Sequence, residues 1–217
     1  MITVNVEQGT PEWRGIKAGV ASPSNFDRLI TASMKPSSQA DDYYYDLMSE
    51  WILGSCKELP PNLYWVNRGT ELEPQARMAF EIVHGDVHQV GFAFKDKKKL
   101  IGCSPDGFLG KQAGLEIKVP DPLNHMAYYL RDECPKKYLP QVQGSMWITG
   151  LKQWYFVSWN PGYPPLITLV EADPQWHQAF DRIVLPFARR LEEGRQEKRI
   201  IDMRQSRIDQ EAAATLV

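Results

Sequence analysis

Gly102-Cys103-Ser104-Pro105-Asp106-Gly107, followed by Leu115-Glu116-Ile117-Lys118, is the stretch on which the reading of this chain turns. Asp106 stands at a turn between two short strand-like pieces, 100–103 and 107–109. Residues 115–119 read as another strand. Side chains two apart on a strand share a face, so Glu116 and Lys118 point the same way. If 107–109 and 115–119 pair as a hairpin, Glu116 returns beside Asp106. Two carboxylates and an ammonium then converge on an otherwise apolar strand. Buried charges need partners, and adjacent carboxylates repel. A divalent cation resolves both demands: Mg²⁺ or Mn²⁺ prefers hard oxygen ligands, which Asp106, Glu116 and the Ile117 carbonyl can supply. Lys118 beside it could orient a water or offset charge in an anionic transition state. Such a site suits phosphodiester hydrolysis. Taken alone the pattern is short, and a surface pair between Glu116 and a lysine, with Asp106 in an Asx turn, fits it as well.

Upstream, the chain reads as helical. Thr10-Pro11-Glu12 has the order of an N-cap, a first-position proline and a first-turn acid, predicting a helix to about Lys17. Ser22-Pro23-Ser24 starts a second helix. Residues 39–55 carry Tyr44, Leu47, Met48, Trp51 and Ile52 at helical spacing. Leu59-Pro60-Pro61-Asn62 is a break. Residues 66–83 follow as a helix, with Leu72, Ala76, Met78, Ala79, Phe80 and Val83 expected inward. The period then changes, and 87–94 reads as a strand before the charged turn Lys95–Lys99. Downstream, helices are expected over 121–131 and 136–149, strands over 153–159 and 166–170, and one long helix over 174–200. The order predicts an α/β fold: a mixed β-sheet flanked by helices, with an N-terminal helical cap. Residues 1–200 are expected to form a single domain and 201–217 a charged C-terminal tail.

Composition narrows the classes. The chain has 217 residues, 43% hydrophobic and 24% charged, so a packed globular domain is expected rather than disorder or a coiled coil. No apolar run suits a membrane span, and MITVNVEQGTPEW lacks the marks of a signal peptide. Three scattered cysteines, Cys56, Cys103 and Cys134, fit a reducing cytoplasm and supply no fourth ligand for an iron–sulfur cluster. The net charge of −2 argues against nucleic-acid binding by bulk charge, though a local basic groove is compatible with it.

Four blocks, in order, change the weight of the acidic pattern. They are Gln8-Gly9-Thr10-Pro11-Glu12-Trp13 continuing to Ser24, then Arg68-Gly69-Thr70-Glu71-Leu72-Glu73-Pro74-Gln75-Ala76-Arg77, then the Asp106 and Glu116 stretch, then Tyr138-Leu139-Pro140-Gln141-Val142-Gln143-Gly144-Ser145-Met146-Trp147 with an aromatic strand behind it. With these, roughly residues 7–195 resemble the lambda-type (viral alkaline) exonucleases of the PD-(D/E)xK nuclease superfamily. The resemblance implies a restriction-endonuclease-like core and a Mg²⁺-dependent 5′-to-3′ exonuclease. Such an enzyme degrades one strand of linear double-stranded DNA to mononucleotides and leaves a 3′ overhang.

Carried over residue by residue, the resemblance implies that Asp106 and Glu116 are the main metal ligands with the Ile117 carbonyl, that Lys118 is the catalytic lysine, and that Glu73 is a helix-borne acid facing the metals. Gln141 is then the glutamine at the active-site edge, and Ser24 and Ser104 belong to a pocket for the DNA 5′-phosphate. The family's pocket arginine falls nearest Lys17, with Arg14 the other candidate; lysine binds phosphate as a point charge, without arginine's fork. Two ions per site, Mg²⁺ or Mn²⁺, a ring-shaped homotrimer threaded on DNA ends, a single-strand-annealing recombination protein as partner, and a phage or prophage origin in a bacterial cytoplasm are further implications.

Each role has a plainer counterpart. Glu73 could be a solvated helix acid beside Glu71, Gln141 an ordinary polar position, and Ser24 a helix-start residue. His84-Gly85-Asp86-Val87-His88 reads as a polar turn rather than a metal site. The basic residues Arg189, Arg190, Arg195, Lys198 and Arg199 are interleaved with acids, so pairing along the helix competes with DNA contact. The same core could also serve a structure-specific endonuclease or flap nuclease. A non-catalytic DNA-binding module is the alternative of another class, but it predicts a broken acid pair or a missing lysine, and Asp106, Glu116 and Lys118 are all present.

Overall fold

The computed structural model describes residues 1–56 and 64–215. The expected break at Leu59-Pro60-Pro61-Asn62 lies outside the described residues. Among the described residues, seven strands form two sheets. β1 (Ile2–Val4), β2 (Phe92–Phe94) and β3 (Gly102–Cys103) make an antiparallel sheet in the order β1-β2-β3. β4 (Gly107–Leu109), β5 (Ala113–Lys118), β6 (Gln153–Ser158) and β7 (Leu166–Glu171) make the second, in chain order. Only β5 and β6 run parallel, with Ala113 opposite Gln153 and Lys118 opposite Ser158. A mixed sheet flanked by helices is therefore present, and its strands divide into a small antiparallel sheet and the larger mixed one.

Parallel neighbours need a crossover. Between β5 and β6 it consists of α4 (Pro122–Arg131), a 3₁₀ turn at Lys136–Tyr138 and α5 (Leu139–Thr149). The cap comprises α1 (Pro11–Lys17), a 3₁₀ turn at Pro23–Arg28, and α2 (Ala40–Leu53); α3 (Tyr64–His84) follows it, and α6 (Pro174–Gln196) and α7 (Lys198–Thr215) close the chain. The Thr10 hydroxyl accepts from the Trp13 N–H at 3.3 Å, the cap that the Thr-Pro-Glu order predicts.

Why α5 stands where it does follows from its sequence. Residues 142–148 are all buried, because the helix is enclosed on opposite sides. One side packs into a cluster with Phe26, Trp147, Trp176 and Phe180; Phe26 and Phe180 have ring centroids 5.4 Å apart. Val142 and Met146 on the other side meet Trp154 and Phe156 of β6. Gly144 makes the first approach possible: a Cβ there would lie 2.7 Å from Phe26 Cδ2. The 3₁₀ turn bearing Ser24 is thereby pressed against the helix bearing Gln141.

Several expectations are corrected. Met78 and Val83 of α3 are 56% and 70% exposed, although helical spacing placed them inward; Ala76 and Phe80 are fully covered on that helix. Tyr43, not Tyr44, is the buried tyrosine of α2, stacked on Phe187 with centroids 5.6 Å apart. The strand expected over 87–94 shortens to β2, with a single bridge from His88 to Phe108 outside it. β1 was not anticipated; three residues carry too little pattern, and it is defined by pairing Ile2 with Phe94. Ser22–Ser24 begins a 3₁₀ turn rather than an α-helix. The long final helix breaks at Glu197, whose backbone is extended, and the tail continues as α7, with Arg204 over the Trp51 ring at 4.1 Å.

Candidate active site

The centre is built on β5. Its sequence, Ala-Gly-Leu-Glu-Ile-Lys, is buried except at its last residue, and Glu116 is only 3% exposed. The β4–β5 register sets Gly107 opposite Leu115, which brings Asp106 alongside Glu116 as a hairpin requires. Asp106 is tied to β5 twice: its N–H donates to the Leu115 carbonyl at 3.1 Å, and its Oδ2 accepts from the Ile117 N–H at 2.5 Å. Lys118 Nζ donates to Glu116 Oε1 at 2.5 Å, and Gln141 Nε2 donates to the same oxygen at 2.6 Å. The plainer reading of Glu116 as half of a surface pair is thus excluded by burial, and Gln141 is placed against it from the first turn of α5.

Glu73 approaches from α3. Arg77, one turn later, donates from Nη2 to Glu73 Oε1 and from Nε to the Asp106 carbonyl, the latter at 3.2 Å. The electrostatics follow from setting Asp106 beside buried Glu116, with Glu73 on the facing helix. Burial, then the Glu116 and Glu73 carboxylates, push the Asp106 carboxyl well above its usual range. Burial also raises Glu73, with Glu116 adding to it and Arg77 opposing. For Lys118, burial favours the neutral amine, but Glu116 and Asp106 together outweigh it and hold the ammonium charged. The Lys118 ammonium also lies 5.4 Å from the centroid of the Tyr138 ring.

Among the described residues, no three His, Cys, Asp or Glu side chains are grouped closely enough to hold a metal ion. The donor chemistry nevertheless suits a hard divalent cation: Asp106 and Glu116 are oxygen donors whose mutual repulsion a cation would relieve. Glu73 in this conformation is engaged by Arg77.

The residues expected at a phosphate pocket gather in a neighbouring cleft of about 1990 Å³, whose lining includes Arg14, Lys17, Ser24, Arg28, Glu73 and Arg77. Glu73 and Arg77 thus border the cleft as well as the acidic centre. Ser104 joins through Trp13, whose indole N–H donates to Ser104 Oγ at 3.2 Å and to the Gly91 carbonyl at 3.0 Å. The Lys17 ammonium lies 4.5 Å from the centroid of the Trp13 ring, and burial lowers its pKa. Ser24 Oγ is 2.9 Å from Ser22 Oγ, and Arg14 donates to the Gly9 carbonyl at 3.0 Å. Ser24 also borders a small recess of about 230 Å³ shared with Lys137, Tyr138 and Gln141.

Three residues here were given no role by sequence. Arg77 had one available signal, its i,i+4 spacing from Glu73. Arg28 faces the cleft while paired with Asp46 at 2.8 Å, and Trp13 bridges to Ser104. Neither of those contacts has a local signature. The weaker motifs settle as structure. His84 stacks on Phe80 with centroids 4.5 Å apart, Lys95 donates to the Trp147 carbonyl at 2.8 Å, and Lys98 and Arg190 pair with Glu192 and Asp41 at 2.7 and 2.5 Å. Of the basic group at the end of the chain, Arg190 and Arg195 reach across the fold, to Asp41 and to the Gly19 carbonyl, whereas Arg199 pairs with Glu197 two residues away. All three cysteines are free thiols, and no helix among the described residues is long and apolar enough to cross a membrane.

Comparison with known proteins places this geometry. Residues 12–152 match the model of the YqaJ-like viral recombinase domain. The crystal structure of an alkaline exonuclease from Laribacter hongkongensis, LHK-Exo, is similar with a TM-score of 0.75 and 27% identity, covering 96% of this chain and 100% of that one. LHK-Exo in complex with dAMP gives the same TM-score and coverage at 26% identity. A phage-related exonuclease from Haemophilus somnus 129PT is similar in fold, with a TM-score of 0.50 at 13% identity, covering 99% and 97% of the two chains. Among curated protein sequences none matches.

Proposed function

The chain belongs to the YqaJ-like viral recombinase family and has the fold of the lambda-type alkaline exonucleases, and from that premise we propose that it is a Mg²⁺-dependent 5′-to-3′ exonuclease acting on linear double-stranded DNA. The observation that carries this reading is the convergence of Lys118 and Gln141 on one oxygen of buried Glu116, with Asp106 bonded to the same strand. A structural salt bridge has no need of a second carboxylate, Asp106, set against the first and raised by it. A nuclease does.

Asp106 and Glu116, with the Ile117 carbonyl, would hold the ion, and Glu73, paired with Arg77 on the neighbouring helix, is the further acid facing them. When bound, Mg²⁺ or Mn²⁺ would supply Lewis-acid polarisation of the scissile phosphate and lower the pKa of an attacking water. Lys118 places a fixed positive charge where the phosphate oxygens gain negative charge. Gln141 fixes the Glu116 carboxylate in one orientation. Lys17, Ser24 and Ser104, with Arg14 at the rim, bind the 5′-terminal phosphate and so set the polarity of digestion. Arg28 lies in the same cleft and offers the guanidinium that Lys17 lacks. Successive 5′ mononucleotides leave, and a 3′ overhang remains as the substrate for an annealing protein. Assembly into a ring of three would explain processive digestion; the exposed Met78, Ile82 and Val83 of α3 are apolar surface available to such an assembly.

The test is a digestion assay on linear duplex with 5′-phosphate, the same duplex with 5′-hydroxyl, and a closed circle, each with Mg²⁺ or EDTA. Loss of the linear DNA alone, dependent on Mg²⁺ and abolished in Asp106→Ala, is the expected result. Nicking of the circle would make the protein an endonuclease. DNA binding without cleavage in any metal would sink the catalytic reading.

A further inference from the structure

Arg77 is 12% exposed at its side chain, and it makes two bonds in different directions. One is to Glu73 on its own helix, the other to the Asp106 carbonyl on the turn between β3 and β4. An i,i+4 pair on a solvated helix face is worth only ~0.3–0.5 kcal/mol and needs no tertiary partner. This guanidinium is instead sequestered and spans two elements far apart in sequence.

The remaining atoms of Asp106 explain why that second bond matters. Its N–H goes to Leu115, and its Oδ2 takes the Ile117 N–H. The carbonyl is the last backbone group of Asp106, and Arg77 occupies it. The Asp106 turn is therefore held from β5 on one side and from α3 on the other. Only one carboxylate oxygen, Oδ1, accepts from no described residue.

From this geometry we infer that Arg77 is a positioning residue: a guanidinium strut that sets the distance between the helix-borne acid Glu73 and the turn-borne acid Asp106, and so the shape of the site that receives the divalent ion. The inference rests on the metal-dependent reading above. A planar guanidinium can serve two acceptors at once from separate nitrogens; an ammonium offers one nitrogen on a flexible stem. Arg77→Lys should thus keep the charge and lose the spacing. Groups that orient metal ligands without touching the metal typically change affinity by ~10–100-fold.

The experiment uses the full chain, wild type, Arg77→Lys and Arg77→Met, with three readouts: Mn²⁺ binding by calorimetry, the metal-free melting temperature, and kcat and KM on linear duplex. Expected for Arg77→Lys are a melting temperature close to wild type, Mn²⁺ binding weakened ~10-fold or more, and a fall in kcat with KM for DNA little changed. Unchanged Mn²⁺ affinity in both variants overturns the strut. A rise in KM alone also overturns it, and assigns Arg77 to the DNA backbone. If the wild type binds Mn²⁺ but digests nothing, the nuclease reading fails while the strut is still judged by the binding data. If both variants bind and digest like the wild type, the strut fails and the nuclease reading stands.

Discussion

Lys118 and Glu116 lie two residues apart on β5, and the lysine ammonium sits 2.5 Å from Oε1 of a carboxylate that is 3% exposed. The pairing is local in sequence, yet it stands in the interior, where an ion pair must repay the desolvation of both partners. Gln141, on the crossover helix α5, donates to the same oxygen. The predictions below follow from this arrangement and from the cleft beside it.

Lys118→Met should reduce the rate of linear duplex digestion by roughly 10²–10³-fold, the usual cost of removing one preorganised charge from a transition state. Its affinity for duplex in Ca²⁺ should stay within a few-fold of wild type. Single-turnover digestion and a separate binding isotherm distinguish the two effects.

Asp106→Asn should abolish digestion and raise the stability of the metal-free protein at neutral pH. The Asp106 carboxyl is raised by burial and by Glu116 and Glu73, and asparagine can still accept the Ile117 N–H. Because the folded pKa lies above the unfolded value of ~3.9, the contribution of Asp106 to stability is present in full below about that pH. It is lost as pH rises through the folded value. Melting in EDTA should show the variant ahead of wild type at pH 7 by a few degrees, on the order of 1 kcal/mol, with the gap closing towards pH 4.

Mg²⁺ should stabilise the wild type and not Asp106→Asn or Glu116→Gln. At 100 times Kd a ligand that binds only the folded state contributes ~2.7 kcal/mol. Equal Mg²⁺-induced shifts in all three proteins would place the ion elsewhere.

Lys17→Met and Ser24→Ala should lower kcat/KM on 5′-phosphorylated duplex by about tenfold, the order of one lost charge-assisted hydrogen bond. Activity on 5′-hydroxyl duplex should change little. The ratio of the two substrates is the measurement, since a general loss of folding would move both.

Gly114→Ala tests the scaffold under the site. A Cβ at Gly114 would lie 2.2 Å from Trp154 Cζ3, and Trp154 is fully buried. Overpacking of this kind costs ~1–3 kcal/mol, to be read from urea denaturation.

The Asp106, Glu116 and Lys118 trio was legible in the chain because it depends only on a turn and on the two-residue period of a strand. Helices and most strands were likewise legible, because caps, breakers and apolar spacing act over a few residues. Period alone misjudged Met78 and Val83. It reports that a helix has an apolar face but not how much of that face another element covers.

What the local pattern leaves open is decided by contacts between distant segments. Gln141 reaches Glu116 only because α5 is wedged between two aromatic clusters, with Gly144 admitting Phe26. Trp13 meets Ser104, and Arg77 meets the Asp106 carbonyl, through packing of the cap and of α3 against the strands. Local propensities are set by the nearest few residues, so they are written in the chain itself. The direction of a buried polar side chain is set by whichever distant group can satisfy it once water is gone. For this protein the acids and the lysine belong to the first kind, and the residues that hold them in place belong to the second.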